Sequence, residues 1–263
     1  MKPLLILTLL MGMTYGDPTA YPFEKEHRIP YRKIRKWTAD KKTPEKCGYT
    51  AILPHYFPGG DALKVHIISP AHSDTSLLEL YRGNRPFQQF REAFSLEPIN
   101  DPDSPPDLIS WRKPTKAYIE DINGDGLDDL KILIPNNGCC GAYNYYAQVI
   151  YLFQRKDGSF TKVSFQDMFM NDENRPERDM DGDGKYEIIT RTFVSYSKHN
   201  YWAFNLYDFD GSGLVNVNAK AGYPILVQLL NRENFAVTTH MSREKMKSFA
   251  RALPDDYNAA TSR

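Results

Sequence analysis

DINGDGLDDLKILI, residues 121–134, and DMDGDGKYEIITRTF, residues 179–193, decide how this chain folds. In both, an acidic, glycine-rich loop runs directly into a stretch of apolar and β-branched residues, the composition of a strand. The downstream segments match as well: AQVIYLFQRKDGSFTKV (147–163) after the first loop and YWAFNLYDFDGSGLVNV (201–217) after the second. The loops start 58 residues apart, at Asp121 and Asp179, whereas the tight turns start 53 apart, at Asp157 and Asp210. The second copy is therefore five residues shorter, and the difference falls on NNGCCGAYN (136–144). Each copy reads as acidic loop, strand, strand, turn, strand.

Alternation supports the strands. Tyr143, Tyr145, Ala147, Val149, Tyr151 and Phe153 share one face, with Asn144, Gln148 and Gln154 on the other. Asp157-Gly158 and Asp210-Gly211 supply hairpin turns, because glycine accepts the positive φ such turns require. A fainter third copy, ALKVHIIS (62–69) and LLELYRGNRPFQQF (77–90), has the same strand order without the acidic loop. The expected fold is mainly β, with propeller-blade-like or sandwich sheets built from repeated hairpin units. Three units are too few to close a propeller of four to eight blades. One short helix is expected near the C-terminus in SREKMKSFARAL (242–253), capped by Ser242, with Met246, Phe249, Ala250 and Leu253 on one stripe. Pro254 ends it, and the tail DDYNAATSR (255–263) reads as disordered.

The loops carry the chemistry. Asp121, Asn123, Asp125 and Asp129 occupy positions one, three, five and nine of the first, and the Leu127 carbonyl stands at seven. Asp179, Asp181, Asp183 and Glu187, with the Lys185 carbonyl, occupy the same positions of the second. Carboxylates about 5 Å apart repel by roughly 3 kcal/mol per pair at an effective dielectric near 20, so a divalent cation is the natural counter-charge. Loops offering six to eight oxygens suit calcium better than the tighter octahedron of magnesium. Two calcium sites are therefore expected. These are not EF-hands, because Ile132 and Thr190 stand where a bidentate Glu is needed, and strands follow where a helix would continue. DFDGSG (208–213) imitates a third loop but has Ser212 in place of an acid and Asn216 at position nine, and it reads as a turn.

Both loops resemble the calcium motif of FG-GAP and VCBS repeat proteins, in which DxDxDGxxD opens a strand. The likeness spans Asp121 to Val217. More faintly, the order YRGNRPFQQF, DINGDGLDDL, YLFQRKDGSF is similar to small calcium-binding periplasmic proteins, some of which act as immunity proteins or inhibitors against peptidoglycan-cleaving enzymes.

The remaining sequence bounds the setting. MKPLLILTLLMGMTYG (1–16) has the form of a secretory signal peptide: one Lys, an apolar run too short to span a membrane, then small residues. A secreted or periplasmic location and no membrane insertion are the consequence. Removing it leaves 32 basic against 33 acidic residues, a balance that points away from nucleic acid. Nine Lys and Arg cluster between Lys25 and Lys46, within residues 17–46, which read as a basic extended arm. Residues 47–240 form the β-repeat domain and 241–263 the helix and tail. Cys47, Cys139 and Cys140 are an odd set for an oxidising compartment; a bond from Cys47 to one of the pair leaves one thiol over, and a Cys139–Cys140 bond is the alternative. Trp202, Tyr196 and Tyr201 are candidates for either core or recognition patch. His55, His66, His72, His199 and His240 lack motif spacing, and no nucleophile elbow or phosphate loop is present. The expectation is a non-enzymatic binding module for a protein or glycan, with a peptidoglycan hydrolase among the candidate partners. A glycan- or peptidoglycan-directed envelope enzyme and a purely structural envelope protein are the alternatives.

Overall fold

The computed structural model describes residues 21–40, 46–70, 73, 75–94, 96, 114–135, 146–169, 174–231 and 234–261. The signal-peptide reading, Cys139 and Cys140 lie outside them. After a short 3-10 turn, Pro22–Lys25, come strands β1 (His27–Arg28), β2 (Lys33–Arg35), β3 (Thr38–Ala39) and β4 (Lys46–Leu53). Next are β5 (Leu63–Pro70), β6 (Ser76–Arg82), β7 (Arg85–Glu92), β8 (Ala117–Glu120), β9 (Asp129–Pro135), β10 (Tyr146–Gln154) and β11 (Phe160–Met168). Then come β12 (Arg178–Asp179), β13 (Ile188–Tyr196), β14 (His199–Phe209), β15 (Leu214–Asn216), β16 (Ile225–Asn231) and β17 (Asn234–Val237). Helix α1 (Arg243–Lys247) and strand β18 (Asp255–Thr261) complete the described chain.

The fold is mainly β, and every sheet is antiparallel and open. One sheet runs β3-β4-β5-β6-β7, a second β18-β11-β10-β9-β8-β2, and a third β13-β14-β16-β17 with β15 also on β14. The three stack as layers of a sandwich. In the first sheet, Leu63, Val65 and Ile67 of β5 are buried while Lys64, His66 and Ile68 between them are only half-buried, the pattern of a sheet with one covered face. That face packs on Leu130, Ile132, Ile150, Leu152 and Phe160 of the second sheet. The opposite face of the second sheet, with Leu133, Val149, Tyr151, Phe153, Val163 and Phe165, packs on Ile188, Tyr207 and Leu214 of the third.

The second sheet is thus the middle layer, covered on both sides, and all seven residues of β9 are buried. Strict alternation breaks there for that reason: Ile150 and Leu152 lie on the face expected to be polar because another sheet covers it. Burial of each such side chain contributes about 1.5–3 kcal/mol. Three ion pairs lie in or at the edge of the core. Lys131 Nζ lies 2.6 Å from Glu177, which also accepts from the hydroxyls of Tyr31 and Tyr151. Arg175 lies 2.7 Å from Asp167, and Lys162 pairs with Glu92. The first two pairs pin residues 175–177, just ahead of the second acidic loop, against the middle layer.

Both ends of the described chain are tied into the sheets. Phe23 is buried against Phe204, β1 pairs with β12, β2 with β8 and β3 with β4. At the other end the Ser242 hydroxyl caps α1 by accepting from Lys245 N at 3.2 Å. The helix is only five residues long, with no buried residue, so the expected stripe to Leu253 does not form as a helical face. Its continuation is diverted: Arg251 N donates to Asn205 Oδ1 at 3.1 Å, and Tyr207 and Asn216 donate to the Arg251 carbonyl. The tail expected to be disordered forms β18 on the free edge of β11, with Val163 opposite Ala259 and Ser164 opposite Asn258. An unpaired row of N–H and C=O groups is a template for such a strand. Among the described residues no helix is long and apolar enough to cross a membrane.

Candidate metal centres

Each acidic loop leads into a long strand, so its last acidic residue is buried at a sheet while its first is only half-buried. In the first loop Asp129 opens β9 and is fully buried, its carboxylate accepting from Ile122 N at 3.0 Å and Gln154 N at 2.9 Å. Asp121 accepts from Asp125 N at 3.0 Å and Gly126 N at 2.8 Å. Asn123 Oδ1 accepts from Asp125 N, and Asp125 from Leu127 N. Gly126, at φ 85°, makes the sharp turn that returns the backbone toward β9.

The second loop repeats this bonding. Glu187 is fully buried just ahead of β13 and accepts from Met180 N at 2.7 Å. Asp179 accepts from Gly182 N at 2.7 Å and Gly184 N at 3.2 Å, Asp181 from Asp183 N, and Asp183 from Lys185 N at 2.9 Å. Gly184, at φ 85°, matches Gly126. In both loops the N–H at position two is held by the carboxylate at position nine. The loops touch: Tyr186 N donates to the Ile122 carbonyl at 3.1 Å.

They differ in how far their acids converge. Asp179, Asp181 and Glu187 bring ligand oxygens within 4.8 Å of one another. Asp183 stands outside that trio, and among the described residues the acids of the first loop do not close to the same distance. Burial pushes the Asp129 carboxyl up to about 8, with Asp125 and Asp121 adding repulsion. It pushes Glu187 up to about 7, reinforced by Asp208 and Asp181. Glu187 Oε2 is bonded, but its buried Oε1 has no hydrogen-bond partner. A buried oxygen left without a donor is costly, and its natural partner is a cation. The residues present therefore fit a divalent ion, most clearly in the second loop.

Two members of that cluster were not expected. Lys220 Nζ lies 2.9 Å from Asp181 Oδ2 and 2.9 Å from Asp208 Oδ2, 3.7 Å from Glu187 Oε1 and 3.8 Å from Asp183. Those bonds to Asp208 and Asp181 raise the Lys220 ammonium above its ordinary range. Asp208 belongs to the stretch read as a turn, and the turn itself is made by Asp210, which accepts from Ser212 N and Gly213 N. No local pattern links Lys220 to a loop 33 residues upstream; only the fold brings them together.

Other candidates divide. Trp202 and Tyr201 are core, whereas Tyr196, 39% exposed, and Phe193, 42% exposed, stand on opposite faces of edge strand β13. His66 bridges Asp40 at 2.6 Å and Glu79 at 3.3 Å on the outer face of the first sheet, and His240 bonds Tyr201. No family model, curated protein or solved structure matches the chain.

Proposed function

We propose that this is an exported calcium-binding β protein, in which two loops of the FG-GAP and VCBS type brace a surface that recognises a protein or glycan. The convergence of Asp179, Asp181 and Glu187 around an unpartnered buried oxygen carries this reading. Asp179, Asp181, Asp183 and Glu187 would hold one ion, with the Lys185 carbonyl. Asp121, Asn123, Asp125 and Asp129 would hold the other, with the Leu127 carbonyl. A bound calcium ion supplies a double positive charge that offsets carboxylate repulsion and ties the solvent-facing half of each loop to its strand. The chain's own part is positioning: the N–H groups of Ile122 and Met180 orient the buried position-nine carboxylates.

Support for a recognition role comes from Tyr196, exposed at the far end of the edge strand that follows the second loop. Capture of a peptidoglycan hydrolase, as an inhibitor or immunity protein, is the specific form of this role. Equilibrium dialysis should find two calcium ions per chain, and EDTA should lower Tm. Affinity capture from the native envelope should return a partner with calcium present and lose it with chelator. Absence of bound calcium, with Tm unmoved by EDTA, refutes the reading.

A further inference from the structure

The geometry points to a lysine-gated second loop: the Lys220 ammonium is a tethered counter-ion that calcium must displace, so the first loop fills before the second. The inference rests on the proposed calcium binding and concerns the regulation of one of its sites.

Lys220 is not a surface lysine with one chance neighbour. Its ammonium lies within 4 Å of four carboxylates, three of them from the second loop, Asp181, Asp183 and Glu187, and one from β14, Asp208. It already supplies part of the positive charge that the loop's acids require. Two bonds of 2.9 Å, to Asp181 and Asp208, hold it there. The buried Glu187 Oε1 is nevertheless beyond hydrogen-bond reach at 3.7 Å, so the lysine neutralises the cluster without completing it. A divalent ion among the same oxygens would offer more charge and direct bonds.

Exposure separates this lysine from the structural ones. Lys131 and Lys162 side chains are 2% and 0% exposed and cannot leave their carboxylates without opening the sandwich. The Lys220 side chain is 35% exposed, on the turn that comes after β15, so its ammonium can swing into water with the fold intact. Removing one partner of a paired lysine there costs little. Among the described residues no ammonium pairs with Asp121, Asp125 or Asp129; Lys33 pairs with Asp128, which lies off the ligand positions. The first loop therefore binds with no ammonium among its ligand carboxylates, and the second must expel one.

The test is a calcium titration by calorimetry on the full-length mature protein, comparing wild type with Lys220→Met and Lys220→Gln. D121N identifies which step belongs to the first loop. In wild type two steps are expected, the weaker belonging to the second loop. In both Lys220 variants that step should tighten about tenfold, equivalent to about 1.4 kcal/mol, with the first step unchanged. A second measurement needs no variant: amine acetylation followed by mass spectrometry should find Lys220 protected in chelator and reactive at saturating calcium. Two ions bound with a second step unaltered by either substitution, or Lys220 equally reactive with and without calcium, overturns the gating while leaving the calcium reading intact. No calcium bound by any of the proteins overturns both.

Discussion

Glu187→Gln should stabilise the calcium-free protein and destabilise the calcium-loaded one. In the folded chain the Glu187 carboxyl is pushed from 4.5 up to about 7, chiefly by burial. Between those values the folded form holds a proton that the unfolded form has released. Calcium-free stability is therefore fully present below about pH 4.5 and falls as pH rises to about 7. A shift of that size costs roughly 3 kcal/mol at pH 8. Glutamine removes the charge and keeps an oxygen for Met180 N. Its amide also places a donor where Oε1 has no partner and faces the Asp179 and Asp181 carboxylates. Allowing for imperfect replacement, the variant should gain about 2 kcal/mol in chelator at pH 8, or about 4–8 °C in Tm for a chain of this length. At pH 4.5 the gain should nearly vanish, because the wild-type side chain is then protonated too. At free calcium about 1,000 times Kd, each filled site adds about 4 kcal/mol, and only wild type fills both. The order of stability should then reverse, by about 2 kcal/mol. Differential scanning calorimetry across pH 4.5 to 8, in EDTA and in calcium, reads all of this. A variant less stable than wild type in EDTA at pH 8 would refute the idea that Glu187 is a buried charge only partly compensated by Lys220.

Glu177→Ala should cost about 3–5 kcal/mol in urea unfolding, since it leaves the almost wholly buried Lys131 amine without its carboxylate. Ile150→Ala, at the centre of the middle layer, should cost about 2–5 kcal/mol while calcium stoichiometry stays at two, because the side chain is fully buried and far in sequence from both loops. Truncation after Pro254 removes β18 and uncovers the β11 edge; lower Tm and concentration-dependent association by light scattering are expected, with a fully monomeric, equally stable product as the contrary result.

The strand order and turns after both acidic loops were legible because each rests on local chemistry: glycine at positive φ, alternation, and acids at fixed spacing. Gly126 and Gly184 share φ 85°, and the same position-two to position-nine bond closes both loops, as near-identical spacing implies. Layering was less legible. Alternation identifies one covered face, as on β5, but a doubly covered strand such as β9 or β10 loses the signal that would place it in the middle. The C-terminus misled because DDYNAATSR is polar and short. Its order comes from the edge it meets rather than from its own composition. Lys220 and Asp208 were invisible for a related reason: their part in the acidic cluster exists only once β14, β15 and the turn after them pack beside the second loop.

The contact between loops gives the arrangement a direction. Ile122 N is held by Asp129 of the first loop, while the Ile122 carbonyl accepts from Tyr186 N of the second, next to Glu187. One peptide segment therefore belongs to both closures, and ordering the first loop fixes an acceptor that the second uses. The N-terminal segment lies over the same region: β1 pairs Asp179 with His27, Arg32 pairs with Glu120 beside Asp121, and Lys33 with Asp128. Arg32 there neutralises a carboxylate that is itself buried, Glu120, while Lys33 pairs with the partly exposed Asp128. Among the described residues no basic side chain of the arm pairs with Asp129 or Glu187, so under the proposed calcium reading their counter-charge would come from within the loops. The arm thus serves the acids that flank the ligand positions of the first loop, and the position-nine carboxylates are the ones a divalent ion would serve.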